Sequence, residues 1–121
     1  MKPKVLVIED NEQNLYLTTF ILQKNNYEVI QARDGQEGID LAGRVNPAMI
    51  ILDIQLPVMD GYEVARQLSQ KDETKDIPII AVTSYAMVGD REKTIAAGCT
   101  GYIEKPIDPG TFIDEIKKYL T

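Results

Sequence analysis

Four residues that could do chemistry each close an apolar run. Asp10 ends Lys4-Val5-Leu6-Val7-Ile8-Glu9-Asp10, with a second acid, Glu9, beside it. Asp53 ends Met49-Ile50-Ile51-Leu52-Asp53, Thr83 ends Ile79-Ile80-Ala81-Val82-Thr83, and Lys105 ends Tyr102-Ile103-Glu104-Lys105 with Pro106 behind it. In a chain that alternates strand and helix, the residues just past the strands gather on one edge of the sheet, where ligands bind. Two or three carboxylates, a hydroxyl and an ammonium in one cleft suit Mg²⁺ and a phosphoryl group. Asp53, ahead of the tight Pro/Gly loop Ile54-Gln55-Leu56-Pro57-Val58-Met59-Asp60-Gly61, is placed to attack phosphorus. Glu9 and Asp10 offer the hard oxygen ligands that Mg²⁺ takes together with water and phosphate. Lys105 supplies a point charge against a phosphoryl oxygen or the Asp53 carboxylate, and Thr83 supplies a hydrogen bond. Without a cation the acids repel one another. Taken singly, each residue also has a plain structural role. Asp10 or Thr83 could cap a helix, Asp53 could be a turn residue, and Lys105 a surface lysine. The joint pattern at four strand ends is what singles them out.

The elements that must position these residues can be read from periodicity. Val5 to Ile8, Ala48 to Leu52 and Ile77 to Val82 are apolar runs expected of strands buried on both faces. Tyr27 to Ala32 is more polar, as an edge strand would be, and Gly101 to Glu104 is the last strand. Helical patterns lie between them: Glu12 to Lys24, Gln36 to Val45 (halted by Asn46-Pro47), Gly61 to Ser69, a weak one from Ala86 to Ala97, and a final one capped by Asp108 with Pro109 at its first turn. In the first helix Leu17, Phe20 and Ile21 are expected to pack on the sheet, leaving Leu15 and Leu22 on another face as a docking surface. Five strand–helix units with right-handed crossovers imply a flavodoxin-like, doubly wound α/β fold: a parallel five-stranded sheet, order 2-1-3-4-5, with its crevice between strands 1 and 3.

The bulk properties set the bounds. At 121 residues, 44% hydrophobic and 26% charged, residues 1–121 read as one globular domain. A net charge of −6 argues against direct, sequence-independent nucleic-acid binding. With no histidine, a His base, a His phosphoacceptor and His metal ligands are all absent. One cysteine, Cys99, rules out an intramolecular disulfide and reads as a small buried residue. No apolar run reaches the ~18 residues of a membrane span and no signal peptide is visible, so a cytoplasmic protein is expected.

Glu9-Asp10, the stretch from Asp53 to Gly61, Thr83 and Lys105-Pro106 together resemble the response-regulator receiver domains of two-component signalling, the CheY-like superfamily, over essentially the whole chain. Within it, Asp53 to Pro57 and Tyr85 to Asp90 look most like a single-domain cell-cycle type. The resemblance implies that Asp53 takes a phosphoryl group from a phosphohistidine on a histidine kinase or histidine phosphotransfer protein. It implies Mg²⁺ held by Asp10, Asp53 and the Gln55 backbone carbonyl, with Glu9 reaching it through water. Thr83 and Tyr102 match the switch hydroxyl and switch aromatic, and the face made by helix 4, strand 5 and helix 5 would meet a downstream protein. A cis Lys105–Pro106 bond is also implied. Ser84 departs from the small apolar residue frequent after the threonine.

Three other readings compete. A haloacid-dehalogenase-type, Mg²⁺-dependent phosphohydrolase needs an acid two residues past its nucleophile, where this chain has Gln55. A flavodoxin needs a phosphate-binding loop after strand 1, where Glu9-Asp10-Asn11-Glu12 repels phosphate. A degenerate receiver would lack site residues that are all present. Whether the receiver stands alone or is excised from a hybrid kinase or longer regulator is left open by the residues.

Overall fold

The computed structural model describes residues 2–84 and 89–119. Strands and helices alternate: β1 Lys4–Ile8, α1 Glu12–Lys24, β2 Glu28–Ala32, α2 Gly35–Val45, β3 Met49–Asp53, α3 Gly61–Gln70, β4 Ile79–Thr83, α4 Asp90–Ala96, β5 Gly101–Glu104 and α5 Pro109–Lys117. The strands are all parallel, in the order β2-β1-β3-β4-β5. This is the expected doubly wound arrangement, and β2 lies at an edge as its polarity implied. Boundaries shift by a residue or two, which is ordinary for element ends. Tyr27 precedes β2 rather than opening it, and β4 begins at Ile79. The expected helix start at Ala86 falls outside the described residues.

Strand alternation sends side chains to two cores. Leu6, Ile8, Ile50, Leu52, Ile79 and Ala81 face Ile39, Val64 and Leu68 on one side of the sheet. Val5, Val7, Met49, Ile51, Ile80 and Val82 face Leu15, Leu22, Phe112 and Ile116 on the other. β1, β3 and β4 are buried on both faces, which is why their sequences are nearly continuous apolar runs.

In α1 Ile21 is buried as expected, but the rest of that expectation is overturned. Leu15, Thr18, Ile21 and Leu22 are buried, whereas Leu17 and Phe20 are about two-fifths exposed and Tyr16 is open to solvent. The sheet-facing stripe is therefore 15, 18, 21/22, the period of an α-helix. Apolar residues ring this helix, and the small Thr18 gives no hydrophobic signal, so the face could not be chosen by counting apolar side chains.

Local caps set where the helices begin. Asn11 Oδ1 accepts from Asn14 N at 2.9 Å, so Asn11 caps α1 and not Asp10. Asp34, Asp60 and Asp108 cap α2, α3 and α5 through their side chains. Each capping residue lies in the loop that follows a strand, so helix entry and the functional edge of the sheet are built from the same loops.

Candidate functional site

Asp53, the last residue of β3, is buried, and Asp53 Oδ1 accepts from Gln55 N at 3.0 Å. β1 runs beside β3 with Ile8 opposite Leu52, so the residues after Ile8 arrive next to Asp53. Glu9 is buried there, and its backbone N–H donates to Ala32 O at 2.9 Å. Asp10, one residue further, is exposed. Carboxylate oxygens of Glu9, Asp10 and Asp53 all lie within 4.8 Å of one another. Three hard oxygen donors at that spacing, two buried and one open to solvent, fit a divalent cation that keeps some of its water.

Lys105 enters from the end of β5. Its backbone N–H donates to Thr83 O at 2.8 Å, which fastens the end of β5 to β4. Its Nζ lies 3.0 Å from Glu9 Oε1 and 3.5 Å from Asp53 Oδ1. The sequence paired Lys105 with Asp53 or a phosphoryl oxygen; the nearer acid is Glu9. The Lys105–Pro106 peptide bond is cis, as the resemblance implied. The Glu9 carboxyl is pushed up from 4.5 to about 7. Burial is the largest cause, a hydrogen bond and charge repulsion from Asp53 add to it, and Lys105 opposes it. Repulsion from Asp53 thus reaches Glu9 on top of burial, the larger cause.

Thr83, at the end of β4, is buried. Together with Gln55, Asp60, Tyr62 and Lys93 it lines a cavity of about 250 Å³ on the α3–α4 side of the site. Tyr102 sits two residues before Glu104, the strand partner of Thr83, and packs half-buried against the core on that side. Burial first, and then Asp90, push its hydroxyl pKa up. Glu9, Asp10, Asp53 and Lys105 thus meet at one point, Gln55 and Thr83 adjoin it, and Tyr102 stands back along β5.

The loop after Asp53 is cinched at its base. Gly61 N donates to Ile54 O at 2.9 Å, and a Cβ on Gly61 would lie 2.5 Å from Ile54 Cα, so only glycine fits this neck. At the tip, Met59 N donates to Pro57 O at 2.7 Å and Val58 takes φ +66°. This is a γ-turn with a fully exposed β-branched residue in a left-handed conformation, a strained arrangement next to the site.

Three features escaped the sequence reading. Gln55 Oε1 accepts from Ser84, 29 residues later; the only sequence signal was the hydroxyl at position 84 itself. Lys105 prefers Glu9, which strand-end reasoning does not reveal. Tyr16 and Phe20 stack at 6.3 Å on the exposed side of α1, with Lys24 Nζ 5.1 Å from the Phe20 ring. Cys99 is buried as expected, and burial pushes its thiol up to about 12. Among the described residues no helix is long and apolar enough to cross a membrane.

The model of the response regulator receiver domain matches residues 5–117. The polar-differentiation response regulator DivK of Brucella anthropi is 45% identical over 120 residues, covering 99% of this chain and 98% of that protein. Its counterpart in Brucella ovis is 44% identical over the same length. This accords with the single-domain cell-cycle type suggested by residues 53–57 and 85–90. Among solved structures, the chemotaxis protein CheY4 of Vibrio cholerae superposes with a TM-score of 0.94 at 29% identity, covering 99% of this chain and 100% of its own. The receiver domain of a sensor histidine kinase from Pseudomonas aeruginosa has a magnesium ion coordinated in its active-site cleft. It superposes with a TM-score of 0.92 at 30% identity, over 99% of this chain and 98% of that one. Since the model spans nearly the whole chain and the DivK relatives match along nearly their full length, the chain belongs to the family of response regulator receiver domains, the phosphoacceptor modules of two-component signalling.

Proposed function

We propose that Asp53 is the phosphoacceptor of this receiver and that residues 1–121 work as one switch unit. The observation that carries this reading is the buried Asp53 carboxylate, with oxygens of Glu9 and Asp10 within 4.8 Å and Lys105 Nζ at 3.5 Å. In the transfer, an Asp53 oxygen forms a bond to phosphorus as the P–N bond of a phosphohistidine breaks, and the departing imidazole takes up a proton. This chain contains no histidine, so the phosphohistidine lies on another protein, which membership in the receiver family makes a histidine kinase or histidine phosphotransfer protein. Small donors such as acetyl phosphate would serve in the same chemistry.

Asp10, Asp53 and the Gln55 carbonyl would hold Mg²⁺, with Glu9 behind them, and the ion would neutralise charge on the phosphoryl oxygens. Lys105 would give its charge to a phosphoryl oxygen and so turn away from Glu9. Thr83 would donate to another, a charge-assisted hydrogen bond stronger than any it could make to a neutral acceptor. Tyr102 would follow Thr83 inward, changing the face made by α4, β5 and α5 that a downstream protein reads. The acidic balance of the chain favours a protein target over nucleic acid, and the setting is cytoplasmic.

The test is labelling by acetyl phosphate with Mg²⁺, read by intact mass. The wild-type protein should gain one phosphoryl group and Asp53→Asn none. Labelling that persists in Asp53→Asn removes the assignment.

A further inference from the structure

Ser84 and the Gln55 side chain form a hydrogen-bonded pair between the ends of β4 and β3. Ser84 Oγ lies 2.6 Å from Gln55 Oε1, and Ser84 N lies 3.2 Å from the same oxygen. A backbone N–H can only donate, so it is the amide oxygen of Gln55 that faces Ser84, and the NH₂ points elsewhere. An amide oxygen has two acceptor positions, and Ser84 fills both. The same Gln55 donates its own backbone N–H to Asp53 Oδ1 at 3.0 Å. Gln55 and Thr83 also line the cavity of about 250 Å³ beside the site. At about 30 Å³ per molecule, that space admits several waters. Water is therefore available next to Gln55, and what matters is whether Gln55 can orient it.

A phosphoryl group on Asp53 is lost when water attacks phosphorus. A new P–O bond forms, the bond from phosphorus to the Asp53 oxygen breaks, and its electron pair returns to the carboxylate. The water proton passes to solvent, and the products are inorganic phosphate and free Asp53. A glutamine beside a phosphoryl group assists such an attack by orienting the water through its side-chain amide. In this chain the amide oxygen, the acceptor needed for that task, is already occupied.

We propose that Ser84 withholds Gln55 from water and thereby prolongs the lifetime of the phosphoryl group on Asp53. The proposal rests on Asp53 being the phosphoacceptor. Ser84 is a positioning residue here: it acts through Gln55 and not on phosphorus. A small apolar residue in its place would leave one acceptor position of Gln55 open.

The experiment labels the protein with acetyl phosphate and Mg²⁺, removes the donor by desalting and follows the decay of the phosphorylated species by intact mass. Ser84→Ala should decay about fivefold faster, the rate equivalent of roughly one neutral hydrogen bond. Ser84→Thr, which keeps the hydroxyl, should decay at the wild-type rate. In a Gln55→Leu background, adding Ser84→Ala should change nothing, because the group it releases is gone. Decay of Ser84→Ala at the wild-type rate overturns the proposal. So does an acceleration that persists undiminished with Gln55→Leu, which would mean that Ser84 merely narrows access. A wild-type protein that takes no label, or an Asp53→Asn protein that does, defeats the assignment of Asp53 itself, and is seen before any decay is measured.

Discussion

Lys105 Nζ lies nearer to Glu9 than to Asp53, at 3.0 Å against 3.5 Å. The ammonium thus holds in place the acid that desolvation and Asp53 most disfavour as an anion, and Glu9 retains its proton to about pH 7. In the unfolded chain the same carboxyl ionises near its ordinary 4.5. Between these values the folded state binds a proton that the unfolded state has lost. The resulting contribution to stability is complete below pH 4.5 and disappears as the pH rises through about 7. Metal-free protein should therefore have a lower urea midpoint at pH 8 than at pH 5.5. Glu9→Gln, which cannot ionise, should flatten that difference; an equal difference in both proteins would assign it to other groups.

Asp10 is the exposed member of the acid cluster, so its removal costs little packing. Asp10→Ala should weaken Mg²⁺ binding by at least about tenfold, equivalent to about 1.4 kcal/mol. Mg²⁺ stabilises whichever state binds it, so the shift of the urea midpoint on adding Mg²⁺ reports the affinity directly. The same shift in wild type and Asp10→Ala would exclude Asp10 as a ligand.

The two faces of α1 should separate folding from docking. Leu15 is almost fully buried, and Leu15→Ser should destabilise the fold by about 3 kcal/mol. Phe20→Ala, on the exposed stacked pair with Tyr16, should cost under about 1 kcal/mol. It should also slow transfer from a cognate protein donor while leaving acetyl phosphate labelling alone. Equal slowing with both donors would show that Phe20 supports the site and not the donor.

Val58 is fully exposed at φ +66°, where a β-branched residue is strained. Val58→Gly should raise stability by about 0.5–1 kcal/mol, since relief of strain outweighs the added freedom of the unfolded chain. A urea midpoint lower than that of the wild type would mean that Val58 makes a contact worth more than its strain.

Signal transmission should need the Thr83 hydroxyl. Beryllofluoride with Mg²⁺ should shift amide resonances through α4 and Tyr102. Thr83→Ala should shrink those shifts while Asp53 still takes label from acetyl phosphate. Shifts confined to the neighbours of Asp53 would place the output elsewhere.

Glu9, Asp10, Asp53 and Thr83 were legible because they close or follow the apolar runs of strands buried on both faces, which leave that mark without any knowledge of partners; Lys105 follows a shorter, half-buried strand. The sheet order followed from the alternation of elements. The buried face of α1 was not legible: Tyr16, Leu17, Phe20, Ile21 and Leu22 surround the helix, and the stripe that wins includes Thr18, whose burial depends on what packs over it. The bond between Gln55 and Ser84 and the preference of Lys105 for Glu9 join residues 29 and 96 positions apart. Such choices depend on differences of half an ångström between side chains, and spacing along a chain carries no record of them.

The neck formed by Ile54 and Gly61 has a consequence for how such a switch can diversify. With the loop closed at its base, Leu56 and Met59 anchor its flanks against the core, and only Pro57 and Val58 stand exposed at its tip. Replacements at Gln55 and at that tip can retune how quickly the signal is written and erased without redrawing the scaffold, provided the glycine stays. Timing and foldedness are thereby uncoupled, so one framework can serve clocks that run at very different speeds.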